Sequence, residues 1–331
     1  MDAPLSNDGA RTDLPVIARR RGTWDVTQLW LKMPSPLGLF DLVPRMTPAL
    51  STAVSPDIRP VRSGEIAVRV RSALFGIKQN VAVGDGAEFH QLRDFVPGMD
   101  PRSIDWKHSA RHRTLLAKET QAERNHSIIL GIDSGRLMSA EIAGLPKLDH
   151  AINSALALGW AATVAGDRVG LYSYDLRPRL YLPPRSGRGA FARLRAETAK
   201  IAYAADESNH ALALSDLKVR TPRRSLIVIF SDFVDTTTAE LLIENLGALS
   251  TRHLVLFVAV SDYDTERQAE ARANDLHEMA LTVAAGRAVS ARAEVLQRLT
   301  RLGVTVIDAP RGQAAPALVS AYLVAKMGDR L

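Results

Sequence analysis

The chain has 331 residues, of which 46% are hydrophobic and 24% charged, a net charge of +6 and no cysteine. The missing cysteine excludes disulfides, thiolate catalysis and Cys-zinc sites. The basic balance is compatible with an anionic partner, but acids are interspersed with the arginines, so it is read as a solvated basic surface.

Residues 1–13 read as a disordered lead-in and 14–62 as a partial β-rich module, with Trp24, Val26, Leu29 and Leu31 as strand residues and Pro34, Pro36 and Gly38 as punctuation. Ser51 to Gly64 reads as a Pro-containing linker, and Glu65 to Phe75 as a short helix. A charged segment, 63–126, leads into the apolar strand Ser127–Ile132, which ends at Asp133. From there strands and helices alternate. Leu148 to Gly166 is an all-round apolar and therefore buried helix. Arg168–Asp175 and Arg179–Pro183 form a hairpin-like pair, implying an antiparallel edge strand. Ser225–Phe233 is a second buried strand, expected to lie beside the first at the sheet centre. Thr237 and Glu240 have capping-box spacing. A helical region from Glu266 to Leu302, broken near Gly286, precedes the strand Val304–Asp308 and the helix Ala314–Met327. The pattern predicts an α/β fold over 127–331, a doubly wound, mostly parallel, Rossmann-like sheet.

No window approaches the roughly 18 uninterrupted apolar residues that span a bilayer. The sequence as given therefore reads as soluble, with no signal-peptide core at its N-terminus.

The order Arg93-Asp94-Phe95, Pro97-Gly98-Met99-Asp100, Arg102, Ile104-Asp105-Trp106-Lys107, Ser109-Ala110-Arg111 and Glu123-Arg124, then Asp133 and Met138, resembles the signature of the bacterial domain of unknown function 58 family. Arg21-Gly22, the Ser35–Phe40 segment, and Tyr322-Leu323 with Lys326 extend the resemblance. It implies a von Willebrand factor A-like domain and a MoxR-type AAA-plus ATPase as partner. Family members usually begin with two transmembrane helices. The expected location is cytoplasmic, at the inner face of the membrane if such an anchor belongs to the protein.

Von Willebrand A domains often hold Mg²⁺ with a D-x-S-x-S motif and a later Thr and Asp. Asp133 matches, but Gly135 and Leu137 replace both serines, Ser134 is out of register, Asp232 is the candidate later acid, and no Thr is identifiable. No cofactor is expected, and weak Mg²⁺ binding through Asp133, Ser134 and Asp232 is the alternative. Asp133 is expected instead to cap a turn or pair with Arg136. Asp105, His108 and His112 have zinc-compatible helical spacing, but solvated histidines are the favoured reading. The turn Pro184–Ala190 is read as an ordinary opening to a helix rather than an anion loop. Trp106 is read as a core residue and Arg111 as a charge-paired tie to the sheet. One Trp with little aromatic interleaving is a poor nucleic-acid platform, so no nucleic-acid partner is expected. No nucleophile or paired-carboxylate motif stands out. The expected function is a non-enzymatic interaction or scaffold module, with a cation-dependent ligand-binding domain as the alternative.

Overall fold

The computed structural model describes residues 21–54, 56, 83–121, 125–142, 144–233, 236–261, 263–273, 275–310, 312–328 and 331. The expected lead-in, the Glu65–Phe75 helix, and Glu123 and Arg124 lie outside these residues.

The N-terminal part is a nested antiparallel ribbon. β1 (Gly22–Val26), β2 (Leu29–Trp30) and β3 (Met33–Pro34) run out; β4 (Asp41–Leu42), β5 (Arg45–Met46) and β6 (Leu50–Val54) return. β1 pairs with β6, β2 with β5 and β3 with β4. Strand pairing continues to Val54, so the first residues of the expected linker are ribbon. The tip is closed by Ser35 N–H to the Phe40 carbonyl and Gly38 N–H to the Ser35 carbonyl, both 2.8 Å, with Gly38 at φ +64°. Arg21 anchors the ribbon base. Its buried guanidinium lies 2.6 Å from Asp149, donates to the carbonyls of Thr198 and Ile201, and stacks on Tyr203.

β7 (Val83–Asp94) and β8 (Leu116–Gln121) form a separate hairpin that carries α1 (Trp106–His112). The family-like residues act locally here. Gly98 takes φ +108°, Asp100 accepts the Arg102 N–H at 2.9 Å to cap a short turn, and Ile104 bridges Ala117. Pro97 and Met99 form a bridge, and an Arg93 guanidinium N–H meets the Met99 sulfur at 3.8 Å. Asp105 caps α1 through the N–H groups of Lys107 and His108, and its second oxygen meets the His108 ring and Lys118. Asp105 and His108 thus form a helix cap, and His112 is exposed at the far end of α1.

Two expectations fail in this hairpin. Trp106 is 68% exposed rather than core, because it is the first residue of a one-sided surface helix whose buried member is Ser109. Arg111 and Ala110 are likewise exposed, and Arg111 makes no ion pair with a described residue. The hairpin pairs with itself and not with the main sheet, so Arg111 has no sheet to tie to.

β9 (Ser127–Asp133) opens the α/β part. After it come a minor hairpin, β10 (Glu141–Ile142) and β11 (Leu145–Pro146), then α2 (Lys147–Val164), β12 (Arg168–Tyr174), β13 (Pro178–Arg185) and α3 (Arg188–Lys200). There follow α4 (His210–Arg220), β14 (Leu226–Phe230), α5 (Thr236–Ser250), β15 (Leu254–Ser261), α6 (Tyr263–Glu270), α7 (Leu276–Arg301), β16 (Thr305–Pro310) and α8 (Ala314–Met327). The six-stranded sheet has the order β13-β12-β9-β14-β15-β16. Only β13 is antiparallel, and β9 and β14 are central neighbours.

The pleat divides the core in two. Ile128, Leu130 and Ile132 face a cluster containing Leu148, Ile152, Leu156, Leu194 and Leu318, from α2, α3 and α8. Ile129, Ile227 and Ile229 face Leu214, Leu242, Leu246 and Leu299, from α4, α5 and α7. The C-terminal helix is fixed by polar bonds as well. Lys326 lies 2.8 Å from the fully buried Asp167, and the Tyr322 hydroxyl donates to the same carboxylate at 2.5 Å. The helical break falls between Glu270 and Leu276, not at Gly286, because Asp275 caps a new helix by accepting the Glu278 N–H at 2.7 Å. Glu240 does not serve as a capping-box partner; both its oxygens are engaged by Arg298 at 2.6 and 2.9 Å.

Candidate functional site

In a parallel sheet the loops leaving the C-terminal strand ends converge, so adjacent strands deliver their next side chains to one place. β9 and β14 deliver Asp133 and the pair Ser231-Asp232. All three are buried.

Asp133, 2% exposed, accepts three hydrogen bonds. One oxygen accepts the Gly135 N–H at 2.8 Å, closing a turn, and also the Ser208 hydroxyl. The other accepts the Ser231 hydroxyl at 2.5 Å. The turn-capping expectation is met, but Arg136 points outward to Glu207 at 2.7 Å rather than to Asp133. Ser134 is turned away: its hydroxyl and N–H both donate to the Tyr174 carbonyl, at 3.0 and 2.8 Å.

Asp232 is neutralised by cations of the chain itself. Lys147, the first residue of α2, reaches one oxygen at 2.5 Å, and Arg292 of α7 reaches the other at 2.9 Å. Arg292 also holds Asp308 at 2.9 Å, which keeps its guanidinium strongly charged despite burial.

Ser208 was not identifiable as a site residue from sequence. It lies in the loop before α4, yet its hydroxyl occupies the space that a side chain at Gly135 would need. A Cβ built there comes within 2.0 Å of the Ser208 oxygen. Ser231, Lys147 and Arg292 were also missed. Only Ser231, adjacent to Asp232, carried a local signal. His210 and Tyr174 complete the floor, with ring Nδ1 and hydroxyl 3.4 Å apart. Burial lowers the His210 pKa, opposed by the Asp133 charge. Burial, reinforced by Asp133, pushes the Tyr174 hydroxyl well above its ordinary range.

Part of the oxygen set that a Mg²⁺ site of this kind uses is replaced or already engaged. Gly135 and Leu137 offer no side-chain oxygen, the Ser134 hydroxyl is spent on a carbonyl, and every carboxylate oxygen of Asp133 and Asp232 already has a donor. Among the described residues no cluster of three or more histidines and acids is placed to hold a metal. Above the polar floor lies a cleft of about 390 Å³, walled by Leu137, Leu176, Phe233 and Leu241 and by the Arg136–Glu207 pair. Leu176 and Leu241 are 52% and 55% exposed.

Residues 91–281 match the family described as protein of unknown function DUF58. The chain belongs to the DUF58 family. Similar curated proteins are uncharacterized proteins of Mycobacterium bovis and Mycobacterium tuberculosis, 28% identical over 206 residues. The match covers 61% of this chain and 64% of those relatives, so the chain spans under two thirds of their length. Among solved structures, the conserved hypothetical protein BatB of Bacteroides thetaiotaomicron is similar at TM-score 0.43 and 14% identity, covering 62% of this chain and all of that one. The SpRpn10 VWA domain is similar at TM-score 0.35 and 11% identity, covering 60% and 95%. The matched residues include Asp133, Lys147, Ser208, Ser231 and Asp232, but not Arg292 or Asp308. No helix among the described residues is long and apolar enough to cross a membrane.

Proposed function

We propose that this DUF58 chain is a non-enzymatic docking module that binds a protein partner in the cleft above Asp133, and that the partner is a MoxR-type AAA-plus ATPase in the cytoplasm. The observation that carries the reading is the combination of a charge-satisfied polar floor with an exposed apolar rim. Asp133 and Asp232 need no further ligand, whereas Leu176 and Leu241 leave apolar area that a partner would remove from water. Against catalysis stands the use of the hydroxyls. Ser208 and Ser231 both donate to Asp133, and the His210 Nδ1 faces Tyr174, so neither serine of this cleft is paired with His210 as a nucleophile.

Asp133→Arg is a poor probe of this surface, because a buried carboxylate with three donors cannot be reversed without disturbing the floor. The rim is the proper target. Leu176→Glu and Leu241→Glu should each weaken binding of the purified ATPase by about tenfold or more while leaving the circular dichroism spectrum unchanged, as for central apolar contacts. Undiminished binding by the folded double variant would move the interface away from the cleft.

A further inference from the structure

The tip of the N-terminal ribbon has a chemistry of its own. From Met33 to Pro44 the only charged residue is Asp41, and it is paired with Lys32 at 3.0 Å. Leu37, Leu39 and Phe40 at the turn are 81%, 77% and 63% exposed, and Val43 beside them is exposed too. Single apolar side chains scattered over a surface need no explanation. These are nearly consecutive and gathered at one end of the ribbon.

The turn spends its polar groups on itself. Pro34 and Pro36 have no N–H, and Ser35 and Gly38 donate to the carbonyls of Phe40 and Ser35. The Phe40 N–H reaches the Ser35 hydroxyl at 3.4 Å, which leaves those of Leu37 and Leu39 as the free donors of the turn. Ser35 is the only polar side chain from Met33 to Phe40, and it is buried. A protein interface carries about one hydrogen bond per 100–200 Å². From Met33 to Phe40 this tip exposes no side chain that could make one. Lipid makes the opposite demand, for apolar side chains on a segment that satisfies its own backbone.

Behind the tip the ribbon changes character in order. The β3–β4 pair sets Met33 opposite Leu42, and the β2–β5 pair sets Trp30 opposite the exposed Arg45. Four residues separate Trp30 from Pro34, at most about 13 Å of extended chain. Interfacial segments bury their apolar side about 5–10 Å deep, with aromatic and basic residues at headgroup level. An apolar tip followed by a rung of indole and guanidinium has that profile along one axis, which favours a lipid surface over a second protein as occupant.

We propose that the ribbon tip inserts into a lipid surface, with Leu37, Leu39 and Phe40 at the acyl boundary and Trp30 and Arg45 among the headgroups. This contact is independent of the docking cleft above Asp133. The full chain is floated with neutral phosphatidylcholine vesicles in low and high salt. Binding is expected in both, because burial of apolar side chains is not screened. Leu39→Asp with Phe40→Asp should weaken the partition about tenfold or more, with an unchanged circular dichroism spectrum because both positions are exposed. Vesicles should also shift tryptophan emission to the blue, and Trp30→Phe should remove most of that shift although Trp24, Trp106 and Trp160 remain. Binding confined to anionic vesicles, abolished by salt and indifferent to the tip variant would trace to the net charge of +6 and overturn the proposal. So would failure to bind phosphatidylcholine at all, or a lipid-free dimer that the tip variant dissociates in analytical ultracentrifugation.

Discussion

Asp232→Ala is the most direct test of how the strand-end site is held. The Asp232 side chain is 7% exposed, and its two cationic partners, Lys147 and Arg292, are 15% and 20% exposed. At an effective dielectric near 20 each contact is worth about 4 kcal/mol of attraction, set against the cost of desolvating the charges. Removing the acid does not affect the two cations equally. Arg292 keeps Asp308, whereas Lys147 has no other carboxylate among the described residues. The stranded ammonium sets the cost at about 3–5 kcal/mol, the range for breaking a buried pair from one side. Urea unfolding reads this as a midpoint lowered by on the order of 1 M for a chain of this size. Adding Lys147→Met should restore about 2 kcal/mol, because an apolar side chain of similar length needs no partner. Millimolar Mg²⁺ should leave the wild-type midpoint unchanged, since a bound cation would raise it by linkage. A loss below about 1 kcal/mol with no recovery in the double variant would place the pair in the range of surface ion pairs and refute the reasoning. A Mg²⁺-dependent rise would restore the cation-dependent alternative.

Trp106→Ala should change stability by less than about 1 kcal/mol, because the side chain is 68% exposed; a larger loss in thermal melts would mean that it packs against a partner surface. Gly135→Ser should cost about 2 kcal/mol by overpacking, since its Cβ meets the Ser208 oxygen at 2.0 Å, and Gly135→Ser with Ser208→Gly should regain most of it. A double variant no better than the single one would show that the two positions do not share that space. Burial lowers the pKa of His210 and His253, with Arg252 and Lys218 adding to the effect at His253. The unfolded chain therefore takes up protons first, and stability present above the ordinary value of 6.5 is lost as pH falls below it towards the folded values. His253→Phe should flatten that fall in pH-dependent melts; a midpoint that rises on acidification through this window would contradict it.

The sheet was legible in the sequence because burial on both faces demands uninterrupted apolar runs. Ile128–Ile132 and Leu226–Phe230 are such runs, and their central, adjacent placement followed from composition alone. The antiparallel edge strand followed from the short Arg177-Pro178 turn, which leaves no room for a crossover helix. Asp133 and Asp232 were legible as site residues because each directly follows an apolar strand. The remainder of the site was decided by residues distant in the chain. The Asp133 hydroxyl donors come from Ser208, 75 positions away, and Ser231, 98 away; the cations at Asp232 lie 85 and 60 positions away. No local pattern encodes such pairings. A serine or lysine looks the same in sequence whether it faces water or a buried carboxylate, and only packing of the loops and helices brings donor to acceptor. Trp106 shows the converse. Its chemistry suggested a core position, but among the described residues α1 packs on the small β7–β8 hairpin, and one turn-capping helix on a two-stranded sheet cannot enclose an indole.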